Sequence, residues 1–97
     1  MASSKIDQTL FVQLFLAAKD EEEMGNLFQE VFSSSELERA IKRVATSKAL
    51  LNNETYRSIE KFVGSSTYVT NRVKSNIVNS KTGMIKKLLT QLGELDN

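Results

Sequence analysis

With 97 residues, the chain is long enough for one domain, but a monomer of this size buries a limited fraction of its surface, so dimerisation would stabilise it. It contains no cysteine and no histidine, which excludes disulfides, thiolate or imidazole metal ligands, and catalysis by either side chain. The net charge of +1 hides an asymmetry: residues 1–36 hold two lysines against seven acidic residues, whereas residues 37–97 hold eleven basic residues against five acidic ones.

Membrane, secretory and enzymatic roles are not indicated by the sequence. No apolar run approaches the roughly 20 residues that a membrane span requires, and the N-terminal residues lack the pattern of a signal peptide. We therefore expect a cytoplasmic protein that does not contact the membrane. The carboxylates are spread along predicted helical faces, without a nucleophile beside a base or a converging set of ligands. We predict no enzymatic activity and no metal site.

Two helices are predicted in the acidic part of the chain. The first runs from Ser4 to about Lys19, and its apolar arc is too wide for a single neighbour in a small monomer: Ile6, Leu10, Phe11, Leu14, Phe15 and Ala18. Asp20 is a predicted N-cap, followed by Glu21–Glu23 in the first turn, where the helix dipole favours negative charge. This second helix ends near Ser33 and carries Met24, Leu27, Phe28, Val31 and Phe32.

A third helix is predicted to begin after Ser34 or Ser35. Glu38 lies three residues beyond Ser35, which is the spacing of a capping box. The pair Asn52–Asn53 ends the helix, because asparagine tolerates the left-handed backbone better than most residues. The side chains expected to be buried are Leu37, Ile41, Val44, Ala45 and Leu51.

The last predicted helix starts near Ser80 or Lys81. Its apolar residues are Met84, Ile85, Leu88, Leu89 and Leu92, and the chain is expected to fray from Glu94 onward. Valine and threonine within residues 66–73 raise the β-propensity, but the helical periods on both sides outweigh it, so no strand is predicted.

Residues 55–73, TYRSIEKFVGSSTYVTNRV, have the pattern of a helix-turn-helix. Gly64 stands where a positive φ is needed between the helices, and Ser65 or Ser66 can cap the second one. The first helix has an apolar face of Tyr56, Ile59, Phe62 and Val63, and the second is expected to bury Val69, Val73 and Ile77. The polar residues left outside suit the major groove of DNA: Ser66, Thr67, Tyr68, Thr70, Asn71 and Lys74. The alternative is an ordinary helical hairpin with a polar face.

From about Phe15 to Leu92 the chain resembles the Trp repressor superfamily and, within it, the small Trp-repressor-related regulators of Gram-positive bacteria. Four segments carry the resemblance, in order and in register: DEEEMGNLFQEVF, SSELERAIKRVATSKALL, TYRSIEKFVGSST and the run Arg72-Val73-Lys74. The resemblance implies an all-α fold with six helices per subunit and an intertwined homodimer. Residues 1–97 would form a single domain, with the helix-turn-helix at about 55–77.

The function implied by the resemblance is that of a sequence-specific DNA-binding transcriptional regulator, a repressor that binds a palindromic operator as a homodimer. Its partners would be double-stranded DNA and a second copy of the chain. The residues implied at the DNA are Ser65, Ser66, Thr67, Tyr68, Thr70 and Asn71 for reading, with Arg57, Lys61 and Lys74 at phosphates. The alternative function is a helical protein-interaction module that has lost DNA binding.

Two departures from the family pattern affect these expectations. Residues 68–71 read Tyr-Val-Thr-Asn where the family has Ala-Thr-Ile-Ser or Ala-Thr-Ile-Thr, so a DNA preference cannot be transferred. In the Trp repressor, tryptophan lies between two arginines at about the positions of Arg43 and Arg72, but Val73 replaces the glycine that follows. We favour ion pairs of these arginines with Glu38 or Glu60 over a ligand site. No cofactor is expected, and binding of tryptophan or another small effector between Arg43 and Arg72 is the less favoured alternative.

Overall fold

The computed structural model describes residues 7–96, and within them the chain forms six α-helices and no strand. These helices are α1 (Gln8–Leu16), α2 (Glu21–Val31), α3 (Ser34–Leu51), α4 (Tyr56–Phe62), α5 (Thr67–Val78) and α6 (Met84–Gln91). The prediction of an all-α fold with six helices is thereby confirmed. None of the helices in this range combines the length and apolar character that crossing a membrane requires. The chain divides into two compact units, one ending at Leu37 and the other beginning at Glu38.

In the first unit, α1 is shorter than predicted at its C-terminal end. Ser4, where the helix was predicted to start, lies outside the described residues, and so does Ile6. The described helix begins after Asp7, whose side chain accepts a hydrogen bond from the Leu10 amide. The helix ends at Leu16 and not near Lys19, because Asp20 begins the next one.

The Asp20 cap is confirmed, and Glu23 adds a second hydrogen bond to the residue before the cap. The Asp20 carboxylate accepts from the Glu23 amide at 2.9 Å, and the Glu23 carboxylate accepts from the Lys19 amide at 2.9 Å. Glu21, Glu22 and Glu23 occupy the first turn as predicted, which accounts for the acidic run without a bound ion.

Four phenylalanines pack together in this unit. Their neighbouring ring centroids lie 4.7 to 6.2 Å apart, and the rings belong to Phe11, Phe15, Phe28 and Phe32. Even so, no residue of α1 or α2 is buried. The aromatic cluster therefore leaves apolar surface exposed to solvent.

The N-terminus of α3 has a capping box two residues earlier than predicted. The Ser33 amide donates to the Glu36 carboxylate at 2.8 Å, and the Glu36 amide donates to the Ser33 hydroxyl at 3.2 Å. The predicted pair Ser35 and Glu38 was wrong, because the reciprocal bonds form around the residue just before the first helical one, which is Ser33. Glu38 instead lies 3.8 Å from the Lys42 ammonium group.

The core of the second unit is small and partly polar. Its buried apolar residues are Ala49, Ile59, Val73 and Leu89, and its buried polar residues are Thr46, Ser47, Ser65 and Thr70. The predicted burial of Ile41 and Val44 was wrong: Ile41 is 60% exposed, and Val44 is exposed as well. The inward face of α3 carries small residues instead, and small residues allow close approach of neighbouring backbone.

The C-terminal residues are tied down, contrary to the expected fraying. The side-chain nitrogen of Asn52 donates to the Glu94 backbone carbonyl at 3.2 Å, and the side-chain oxygen of Asn52 accepts from the Asp96 backbone amide at 2.8 Å. The Lys48 ammonium group pairs with the Glu94 carboxylate, and this hydrogen bond raises the pKa of Lys48 above its usual 10.5. Asn53, at φ +63°, ends α3 as predicted, while Asn97 lies outside the described residues.

The last helix begins at Met84, later than the predicted Ser80 or Lys81. Gly83, at φ +62°, is its N-cap residue, and the Gly83 amide donates to the Ser80 hydroxyl at 3.0 Å, closing a turn before the helix. Within α6 only Leu89 is buried, which leaves Met84, Ile85, Leu88 and the C-cap Leu92 exposed.

Candidate nucleic-acid interface

The predicted helix-turn-helix is formed by α4, Gly64 and α5. Thr55 caps α4 through the Ser58 amide at 3.1 Å, and Ser66 caps α5 through the Val69 amide at 3.2 Å. Gly64 has φ +86°, a backbone conformation that side chains disfavour. The bend is therefore built from the local signals that the sequence carried.

Packing between α4 and α5 centres on a fully buried Ile59. Val73 is buried on α5 as predicted, and Val69 and Ile77 are half-buried. Phe62 does not belong to this apolar face, as it is 75% exposed with the Lys61 ammonium group 5.3 Å from its ring centroid.

Two of the residues that were predicted to contact DNA have side chains that point into the protein. Thr70 is 1% exposed because it lies three residues before Val73, on the inner face of α5. Ser65 is 3% exposed, and its hydroxyl lies 2.7 Å from the hydroxyl of the fully buried Thr46. The expectation that these two side chains face outward was wrong; each occupies a packed position where it cannot reach a base.

The remaining predicted residues are exposed. On α5 these are Thr67, Tyr68, Asn71 and Lys74, with Ser66 just before the helix, and on α4 they are Arg57 and Lys61. Thr67, Asn71 and Lys74 are spaced i, i+4, i+7 and share one face of α5. We call Thr67, Tyr68, Asn71 and Lys74 the recognition surface.

Two side-chain contacts order this surface. The Tyr56 hydroxyl on α4 donates to the Asn71 side-chain oxygen at 2.7 Å, joining the two helices. Within α5, the Arg72 guanidinium donates to the Tyr68 hydroxyl at 3.0 Å and lies 5.9 Å from the centroid of that ring. Both tyrosines therefore hold a neighbouring polar side chain in place.

A basic groove of about 270 Å³ lies beside the N-terminus of α5. Its lining residues include four cationic side chains and no acidic one: Arg39, Lys42, Arg43, Gly64, Ser65, Ser66, Tyr68, Val69 and Arg72. An anion would be attracted here, because the groove combines positive charge with the amide groups that begin a helix.

The structure changes the interpretation of the two arginines singled out in the sequence. Arg43 and Arg72 both line the basic groove, so the geometry brings them together as the family pattern implied. The predicted ion pairs with Glu38 or Glu60 are not formed: Glu38 pairs with Lys42, and no salt bridge of either arginine occurs within residues 7–96. Val73 is buried and does not line the groove; the bulky side chain there is Tyr68.

Sequence reasoning missed three residues of this region. Arg39 and Lys42 line the groove together with Arg43, and their i, i+3, i+4 spacing on one helix could have identified a basic stripe. Tyr56 had no such signal, because its partner Asn71 lies 15 residues away on another helix.

Comparison with known proteins identifies the family. No curated protein and no solved structure shows significant similarity to the chain. A family profile described as Trp repressor protein matches residues 7–93, which includes the helix-turn-helix, the basic groove and the recognition surface. The chain therefore belongs to the Trp repressor family, whose members are regulatory DNA-binding proteins and not enzymes.

Proposed function

We propose that this protein is a sequence-specific transcriptional repressor that binds a palindromic DNA operator as a homodimer in the cytoplasm. The observation that carries the proposal is the exposed polar recognition surface on the second helix of a helix-turn-helix, beside a groove lined by four cationic residues. Such a helix can enter the major groove, while the basic groove and the exposed Arg57 and Lys61 contact the flanking phosphates.

The recognition surface contains the chemistry that base reading needs. Thr67 and Asn71 offer hydroxyl and amide groups, and the Tyr68 ring offers an apolar face for a thymine methyl group. Lys74 lies at the end of the same face and suits a phosphate oxygen. Ser66 is the N-cap of α5, where its hydroxyl accepts from the Val69 amide, and the amide groups that begin this helix suit a phosphate.

Dimerisation is supported by the apolar surface that the subunit leaves exposed. On α1 this surface includes Leu10, Phe11, Val12, Leu14 and Leu16, and around α6 it includes Met84, Ile85, Leu88 and Leu92. A monomer rarely exposes so many large apolar side chains. We propose that these side chains contact a second copy of the chain in an intertwined dimer. Residues 1–97 would then act as one domain. Within the family, we place the protein with the small Trp-repressor-related regulators of Gram-positive bacteria.

The test is selection of bound sequences from random duplex DNA, with and without tryptophan, followed by titration of the selected site. We expect a palindromic consensus with half-sites about one helical turn apart. Lys74→Ala should weaken binding to all duplexes by a similar factor, whereas Lys87→Ala, a lysine on α6 outside the recognition surface, should not. Failure of the folded dimer to bind any duplex would reject this function in favour of a helical interaction module.

A further inference from the structure

Among the side chains of the recognition surface, Asn71 is the best suited to distinguish bases by hydrogen bonds. Its amide carries one oxygen that accepts hydrogen bonds and one nitrogen with two hydrogens to donate. A free asparagine can pair with adenine, because adenine presents an acceptor at N7 and a donor at N6 in the major groove. Which group faces the base depends on how the amide is turned.

In the structure, the Asn71 amide is turned with its oxygen toward Tyr56. The Tyr56 hydroxyl donates to the Asn71 oxygen at 2.7 Å, across the interface between α4 and α5. Tyr56 is half-buried in the first turn of α4, directly after the N-cap Thr55, so its ring has a defined position from which the hydroxyl reaches Asn71. In this orientation the Tyr56 hydroxyl is the donor and the Asn71 oxygen the acceptor, so the side-chain N–H groups of Asn71 are not used in the contact with Tyr56.

We infer that Tyr56 is a positioning residue that makes Asn71 select guanine over adenine. With an oxygen lone pair engaged by Tyr56, the amide presents mainly its two N–H donors. Guanine offers two acceptors in the major groove, O6 and N7, and matches that pattern, whereas the N6 amino group of adenine opposes a donor. This inference rests on the proposed function, since it requires α5 to lie in the major groove.

The experiment compares Tyr56→Phe with the unchanged protein on duplexes that differ at one base pair. The duplex is the selected operator, and the varied position is the one whose preference Asn71→Ala abolishes. We expect the unchanged protein to bind guanine about tenfold more tightly than adenine there, within the range of one bidentate base contact. Tyr56→Phe keeps the ring and removes the hydroxyl, so the preference should fall to about threefold or less.

Controls separate positioning from a general structural effect. Ser58→Ala also removes a hydroxyl from α4, but that hydroxyl donates to Glu54 and not to α5, so the guanine preference should persist. Tyr56→Phe should leave the affinity for non-specific duplex DNA within about twofold, because phosphate contacts supply that affinity.

Four outcomes would overturn the inference. One is a Tyr56→Phe protein with the guanine preference intact. Another is an unchanged protein that prefers adenine at the Asn71 position, or a consensus in which Asn71→Ala abolishes no preference. If the unchanged protein binds no duplex DNA, the proposed function fails and this inference fails with it. If DNA binding is specific but indifferent to Tyr56, only the inference fails.

Discussion

At the scale of single residues, the hydroxyl pair of Thr46 and Ser65 joins α3 to the bend of the helix-turn-helix. Both side chains are buried, and each hydroxyl has the other at 2.7 Å. We predict that Ser65→Ala lowers the free energy of unfolding by about 1–3 kcal/mol, because it leaves the Thr46 hydroxyl buried without this partner. Denaturant titration measures the change.

The double variant is the control for this prediction. Replacing both partners, with Thr46→Val and Ser65→Ala together, removes both polar groups at once and should cost less than the sum of the single variants. Strict additivity of the two changes would show that the hydroxyls do not depend on each other.

The side chain of Tyr68 is the reason that we predict no tight binding of tryptophan. Arg72 is engaged by the Tyr68 hydroxyl, and the Tyr68 ring lines the basic groove where a planar ligand would lie. We therefore expect no heat of binding at micromolar tryptophan by calorimetry. Opening the groove with Tyr68→Ala should raise the affinity for tryptophan or a similar aromatic anion. Micromolar binding to the unchanged protein, lost in Arg72→Ala, would refute this prediction.

At the scale of elements, Asn52 connects the C-terminal ends of α3 and α6. Its side chain donates to the Glu94 carbonyl and accepts from the Asp96 amide, so one residue satisfies two backbone groups. Asn52→Ala should destabilise the fold by about 1–2 kcal/mol, as expected for two partly exposed hydrogen bonds. Thermal unfolding measures the effect.

Asn79→Ala is the matched control for Asn52→Ala. The Asn79 side-chain amide donates to the Ser75 hydroxyl one turn earlier on α5, so its removal breaks a bond within one element. Equal destabilisation by the two variants would mean that the link between α3 and α6 adds nothing to stability.

At the scale of the whole molecule, exposed apolar area predicts a homodimer held by residues 6–18 and 84–92. Phe11 is 49% exposed and Leu92 is 72% exposed in the subunit, and a second copy would cover them. Sedimentation equilibrium at micromolar concentration should give twice the mass of the chain. Leu88→Glu should weaken association, since it would bury a charge at the interface. A well-folded monomer of the unchanged protein would contradict the prediction.

The charge distribution predicts the salt dependence of DNA binding. If each subunit neutralises about three phosphates, affinity should fall about a thousandfold between 50 and 200 mM salt, through counterion release. Titrations of the selected operator at several salt concentrations give the slope. Lys74→Ala should reduce that slope by about 1 per subunit. A complex insensitive to salt would exclude binding led by the DNA backbone.

The sequence by itself determined the features that depend on a few adjacent residues. Asp20 and Ser66 cap helices as predicted, because a side chain bonds to an amide three residues ahead. Gly64 and Asn53 have the positive φ expected of them, since the left-handed backbone is a property of the residue itself. These local rules, together with the helical periods, were sufficient for the six helices and the helix-turn-helix.

Only the tertiary structure decided which side chains those helices bury and which they pair. Thr70 and Ser65 looked like surface residues, yet both are buried, because small hydroxyl side chains satisfy close packing better than polarity predicts. Tyr56 meets Asn71, and Asn52 meets Glu94, across 15 and 42 residues of chain. Pairing over such distances follows from how helices pack, and no short-range pattern in the chain encodes it.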